Sequence, residues 1–202
     1  MTNRQLVKHL KNSGALSDER LEAAFEAVDR IDFVPEAEKL HAYEDRPLHI
    51  GWEQTVSSPM VVAFMLELLD VRPGQRVMEV GSGSGWVTAL LACLSGKDGQ
   101  VYGVERLPQL LAQAERNLAR YDFKQIELLQ AGKKLGLPEK APFERILVSA
   151  AAKNLPGSLV KQLAPEGILV IPVGHKILRV VNAHDGPRIS EYGSFVFVPL
   201  IY

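Results

Sequence analysis

Two stretches of the chain combine residue types able to bind and orient a small molecule. The first is Arg76-Val77-Met78-Glu79-Val80-Gly81-Ser82-Gly83-Ser84-Gly85-Trp86, an apolar run ending in an acid and then three alternate glycines. The second is Gln54-Thr55-Val56-Ser57-Ser58-Pro59, a group of hydroxyls just ahead of a proline. Val77 to Val80 reads as a buried strand, and Val87-Thr88-Ala89-Leu90-Leu91-Ala92 as the helix that follows it. Glycines at a strand-to-helix turn let a ligand approach the main chain, because no Cβ stands in the way. The helix N-terminus behind them offers N–H groups without an intrahelical partner. A second acid, Glu105, ends the next expected strand, Val101-Tyr102-Gly103-Val104-Glu105. That is where an acceptor for ribose hydroxyls belongs.

Spacing narrows the ligand. The dinucleotide fingerprint G-x-G-x-x-G would need a third glycine at position 86, which is Trp86, and no Gly-Lys-Ser or Gly-Lys-Thr of a phosphate loop occurs. A phosphate would also be repelled by Glu79. What remains, E-x-G-x-G-x-G, resembles the first motif of S-adenosylmethionine-dependent methyltransferases, whose loop receives the amino-acid part of the cofactor. The alternative is a glycine-rich turn that serves only tight strand–helix packing.

The elements that must hold these groups can be read in order. Residues 2 to about 30 read as two helices: Leu6, Val7 and Leu10 share one face, Gly14 interrupts, and Leu21, Ala24, Phe25 and Val28 follow at helical spacing. Ser17 is the expected N-cap of the second helix. Residues 33–57 read as irregular. Pro59 suits the first turn of a buried helix over Met60–Leu69, with Ser58 as its N-cap. The hydroxyls of Thr55 and Ser57 are then free for a ligand; otherwise they are plain surface-loop hydroxyls. After Arg72-Pro73-Gly74, strands are expected at 76–80, 101–105, 126–130, 143–149, 168–172, near 177–182 and near 194–200. Helices are expected between them, at 107–120 and from Leu155-Pro156 on. Such alternation predicts a largely parallel, doubly wound α/β sheet, with ligands outside the carboxyl ends of its strands. Gly81, Glu105, the 131–134 loop and Ser149 fall at those ends.

Composition bounds the rest. With 202 residues, 47% of them hydrophobic, the chain can build one large domain. A formal net charge of −1 argues against a broad nucleic-acid surface, a local basic patch aside. The single cysteine, Cys93, leaves no internal disulfide and reads as a small core residue. That suits a cytoplasmic protein. No run of about 18 apolar residues and no signal-peptide core is visible, so no membrane association is expected. The five histidines lack metal-ligand spacing, and no metal is expected.

Several stretches together are more specific than the glycine loop. Val28-Asp29-Arg30 with Phe33-Val34-Pro35, Ala42-Tyr43-Glu44-Asp45-Arg46-Pro47, Ile50-Gly51, Gln54-Thr55-Val56-Ser57-Ser58-Pro59, Val104-Glu105-Arg106, Ala141-Pro142-Phe143, Gln162-Leu163, Ile171-Pro172-Val173-Gly174 and Phe197-Val198-Pro199-Leu200 span nearly the whole chain. With them the sequence resembles the protein L-isoaspartate (D-aspartate) O-methyltransferases. The resemblance implies a Rossmann-like methyltransferase fold in one domain, with a helical, substrate-facing section over residues 1–70 and the cofactor core over 71–202. It implies S-adenosylmethionine as cofactor and isoaspartyl-containing proteins or peptides as substrates. Ser57 falls on the family's active-site serine. The cofactor contacts carried over are Thr55, Val56, Ser57, Glu79, Gly81, Ser82, Gly83, Gly85, Glu105, Arg106 and Gly132.

The chain also departs from the family pattern. Ala131-Gly132-Lys133 stands where the family has Gly-Asp-Gly, whose Asp contacts the adenine. Glu144 replaces an Asp, and Glu166-Gly167 replaces Gly-Gly. His175-Lys176-Ile177-Leu178 follows Val173-Gly174 without the loop and cofactor-contacting Gln of the family. Two alternatives follow: a relative that methylates another carboxylate or a small molecule, and a cofactor-binding protein that has lost turnover.

Overall fold

Strand β3 (Arg76–Val80) lies at the centre of the fold, with every residue after Arg76 buried. The computed structural model describes residues 1–202. In chain order come helices α1 (Asn3–Asn12) and α2 (Glu19–Ala27), two 3-10 turns (Arg30–Phe33 and Glu36–His41), and a hairpin of β1 (Leu48–Gly51) and β2 (Gln54–Val56). Helix α3 (Pro59–Leu69), β3, α4 (Trp86–Ser95), β4 (Gln100–Glu105), α5 (Pro108–Leu118), β5 (Ile126–Gln130) and β6 (Phe143–Val148) follow. The chain continues through α6 (Gly157–Val160), β7 (Leu163–Val173), β8 (Lys176–Ala183) and β9 (Gly186–Tyr192).

The main sheet has seven strands in the order β5-β4-β3-β6-β7-β8-β9. β5 to β7 are parallel, and β8 and β9 add antiparallel at one edge. From β3 the chain first winds one way, to β4 and β5, and then returns to β6 on the other side. The order therefore reverses at β3, and a crevice opens there at the carboxyl ends. Alternate residues of the strands feed two cores. Val77, Val101, Leu147, Ile168 and Val170 pack with α1–α4 and α5, while Met78, Tyr102, Ile146, Leu169 and Ile171 pack with Leu135, Leu137 and Leu159 on the opposite face. The N-terminal helices thus share one continuous core with the sheet.

Several local expectations are corrected. Asp18, not Ser17, caps α2 by accepting the Arg20 N–H at 2.8 Å. Ser17 is engaged elsewhere, since its N–H and hydroxyl both donate to Glu67 Oε1, at 2.8 and 2.5 Å. Residues 33–57 are not structureless but hold the two 3-10 turns and the β1–β2 hairpin. Ser58 occupies the N-cap position of α3 without making a side-chain cap bond. The free Met60 N–H donates instead to Asp45 Oδ1 at 2.9 Å. The helix expected from Leu155-Pro156 is one short turn, and Leu163 belongs to β7. No strand forms over 194–200. β9 already pairs with β8, so this segment instead crosses the strand ends, pairing with Ala151 through Ala151 N–H to Val198 O and Leu200 N–H to Ala151 O, both 2.8 Å.

Two departures from the family pattern show in the local structure. Glu144 Oε2 accepts the Arg76 N–H at 2.7 Å and so fastens the start of β3. Glu166 has φ +59°, a left-handed conformation that costs a side-chain-bearing residue free energy. At Gly167 a Cβ would stand 2.8 Å from the Ala164 carbonyl oxygen, so only glycine fits there.

Candidate active site

A cavity of about 240 Å³ opens at the carboxyl ends of β3, β4 and β6. Ten of the eleven carried-over cofactor residues line it: Thr55, Val56, Ser57, Glu79, Gly81, Ser82, Gly83, Glu105, Arg106 and Gly132. Gly85 does not. Its φ is +91°, and a Cβ there would meet Ala114 at 3.2 Å and Leu118 at 3.3 Å. It therefore serves the packing of the loop against α5. The other two glycines also have left-handed φ, +86° at Gly81 and +54° at Gly83. The loop closes on the sheet through Gly81 N–H and Ser82 N–H, which both donate to the Val104 carbonyl, at 2.8 and 3.1 Å.

Two buried carboxylates stand in this cavity. Glu105 binds the main chain at both oxygens: Oε2 accepts the Gly83 N–H and Oε1 the Leu107 N–H, each at 2.9 Å. Each oxygen keeps a lone pair for a further donor. Glu79 accepts from Thr88 Oγ1 at 2.5 Å and from Ser149 Oγ at 2.9 Å. Burial pushes its carboxyl up to about 7; the two hydroxyls pull it back down, and the charge of Glu105 pushes it further up. Two acids in a low-dielectric cleft favour a ligand carrying positive charge and disfavour a phosphate. Ser82 Oγ, Ser84 Oγ and Trp86 Nε1 are buried in the same wall without partners. Buried polar groups left unpaired in a protein are ones a ligand or water can satisfy.

The facing wall comes from the β1–β2 hairpin. Its register pairs Leu48 with Val56 and His49 with Thr55, so the strand delivers Thr55 and Val56 to the cavity and Ser57 leaves it into α3. The Ser57 hydroxyl makes no hydrogen bond within the fold, while its carbonyl accepts from Arg30 Nη2 at 2.9 Å. Ile50 Cδ1 lies 3.3 Å from where a Cβ on Gly83 would stand, so the hairpin closes tightly on the glycine loop at this position.

Sequence reasoning missed some of the lining: Ile50 and the segment Val198–Tyr202. Phe197-Val198-Pro199-Leu200 carried a signal as one of the matching stretches, but its apolar run was read as a strand. Thr88, the partner of Glu79, gave no signal beyond its place in an apolar helix.

Glycines at close-approach positions, a ribose-type acid at the end of β4 and a second acid at the end of β3, all at the reversal point of a parallel sheet, define a Rossmann-like S-adenosylmethionine-dependent methyltransferase. The orphaned hydroxyls and the acidic floor fit that cofactor. The family profile described as protein-L-isoaspartate(D-aspartate) O-methyltransferase matches residues 1–202, and the chain belongs to that family. It is 43% identical over 204 residues to a protein-L-isoaspartate O-methyltransferase of Methanothrix thermoacetophila, covering 100% of this chain and 95% of the relative. It is 41% identical over 204 residues to one from Pyrococcus horikoshii, covering 98% and 92%. Among solved structures, a putative protein-L-isoaspartate O-methyltransferase from Plasmodium falciparum, crystallised with S-adenosyl-L-homocysteine, superposes with a TM-score of 0.89 at 27% identity, covering 100% and 99%. The chain is thus an S-adenosylmethionine-dependent protein carboxyl O-methyltransferase.

Proposed function

We propose that this chain methylates the free α-carboxylate of L-isoaspartyl residues in damaged proteins or peptides, and that transfer takes place between the glycine loop and Ser57. The observation that carries this reading is that the Thr55–Ser57 strand end and the glycine loop, far apart in sequence, form facing walls of one cavity. When bound, S-adenosylmethionine supplies an electrophilic methyl group on a sulfonium sulfur. Glu105 would hold the ribose hydroxyls, Gly81 to Gly83 would admit the amino-acid part, Glu79 would offer its carboxyl to that part, and Arg106 and Gly132 would border the adenosine end. The accepting carboxylate is already ionised at neutral pH, so no general base is required. What remains for the protein is to align two reactants and exclude water. The unpartnered Ser57 hydroxyl is placed to orient the carboxylate. Residues 1–70 make the substrate-facing section of the single domain and 71–202 the cofactor core.

The isoaspartyl peptide is read as the partner, with no nucleic acid and no membrane. No helix is long and apolar enough to cross a bilayer. Cytoplasmic placement rests on the lone Cys93, a partly buried free thiol that burial pushes up to about 11. The test is transfer of a tritiated methyl group to an isoaspartyl peptide and to its aspartyl isomer. Label on the isoaspartyl peptide alone is expected. Label on neither, or on both equally, would overturn the substrate assignment.

A further inference from the structure

We propose that Arg30 is a positioning residue for methyl transfer: its guanidinium ties the Ser57 main chain to the start of α4 and so sets the separation of the two cavity walls. This rests on the function proposed above. Arg30 is fully buried and has no carboxylate within ion-pair distance. Its two terminal nitrogens donate instead to four main-chain carbonyls, while the Nε–H is buried without a partner. Nη1 donates to Ala42 and Glu44 at 2.9 and 3.1 Å, and Nη2 to Arg46 and Ser57 at 3.0 and 2.9 Å. The same group lies over the Trp86 ring, with Cζ 5.1 Å from its centroid. Trp86 is the first residue of α4, directly after Gly85, and it is itself buried against Phe25.

A buried cation without an acid partner is costly, and an apolar side chain of similar volume would fill the space at lower cost. Burial lowers the guanidinium to about 10, with Asp45 opposing the shift, so it stays charged at neutral pH. What an apolar residue cannot do is gather carbonyls from four points of the 42–57 segment and hold a positive charge over an indole at the same time. Only a planar five-donor fork has that geometry; an ammonium has neither the plane nor enough donors. The segment needs such a tie. The β1–β2 hairpin that delivers Thr55 and Ser57 is a separate two-stranded sheet, so no strand pairing fixes it against β3. Without the fork, Ser57 would keep its covalent neighbours but lose its register with the glycine loop.

The experiment compares the native protein with Arg30→Lys, which keeps charge and stem but loses the fork. Turnover per folded molecule is measured with an isoaspartyl peptide, S-adenosylhomocysteine affinity by calorimetry, and folded fraction by circular dichroism. Positioning predicts a fall in kcat of at least about tenfold, with cofactor-product affinity unchanged. A structural role alone predicts that activity and affinity fall together with the folded fraction, and that outcome overturns the inference. So does a kcat equal to the native one. Should Arg30→Lys not fold, an ester in place of the Ser57–Ser58 amide weakens the Ser57 carbonyl as acceptor while leaving Arg30 in place. The Ser58 N–H that it removes makes no hydrogen bond in the fold. A fall in kcat at unchanged affinity is again expected, and an unchanged kcat overturns the inference. If the native protein transfers no methyl group at all, it is the underlying function that fails, and calorimetry on the native protein separates the two cases.

Discussion

The Glu105 carboxylate lies 2.9 Å from the Gly83 amide, across twenty-two residues of chain, and joins the carboxyl end of β4 to the glycine loop. The acid therefore braces the glycine loop, and in the proposed function it also accepts the ribose hydroxyls. Hydrogen bonds to a charged acceptor contribute roughly 1.5–3 kcal/mol each. Glu105→Ala is expected to weaken S-adenosylhomocysteine binding by at least about tenfold, and to lower stability because Gly83 and Leu107 lose a buried acceptor. Unchanged affinity in calorimetry would remove Glu105 from the ribose site.

Ser57, Ser58 and Asp45 separate function from capping. Ser57→Ala is expected to lower turnover while leaving stability within about 0.5 kcal/mol, since its hydroxyl has no partner in the fold. Ser58→Ala should change stability just as little, because its side chain makes no cap bond. The capping loss belongs to Asp45→Ala, at about 1 kcal/mol, through Met60. Urea denaturation of the three variants checks the order; a loss at Ser58 larger than at Asp45 would restore Ser58 as the cap.

Position 132, where the family's adenine-contacting Asp is absent, is open space. A Cβ on Gly132 meets nothing within 4 Å, and its φ lies outside the left-handed range. One hydrogen bond fewer costs about 0.5–1.5 kcal/mol, somewhat more with a charged acceptor. Native binding of S-adenosylmethionine is therefore expected to be measurable but weak, and Gly132→Asp to tighten it by about tenfold. Titration of both proteins decides. Equal affinities would mean that another group already meets the adenine, and no native binding would sink the enzyme reading.

The Glu79 carboxyl, pushed from its ordinary 4.5 up to about 7, gives the fold a pH signature. Its raised value favours the protonated native state. The stability it contributes is full below about 4.5 and is lost as the pH rises through about 7. Glu79→Gln, a neutral isostere, should flatten the pH dependence of the melting temperature across that window. A native profile that rises over the same interval, with no difference in the Gln variant, would show that Glu79 ionises normally.

Much of this was fixed locally. The Glu79 loop, the acid at the end of β4, the strands at 76–80 and 126–130 and the buried α3 all follow from short-range rules of glycine conformation, apolar periodicity and proline placement. These rules act between neighbours in the chain, so the sequence carries them. The β1–β2 hairpin escaped because its turn residues, Trp52 and Glu53, adopt φ of +49° and +58° without the Asn-Gly or Asp-Gly signal of such turns. The tertiary structure decided what depends on partners distant in sequence. It gave the α3 cap to Asp45, turned Gly85 toward α5, and bridged residues 198–200 to Ala151 across the strand ends instead of adding them to the sheet. It also folded the 42–57 segment around the buried Arg30 guanidinium, which sets Ser57 opposite the glycine loop. No periodicity announces such contacts, because they depend on which groups meet once the core has closed.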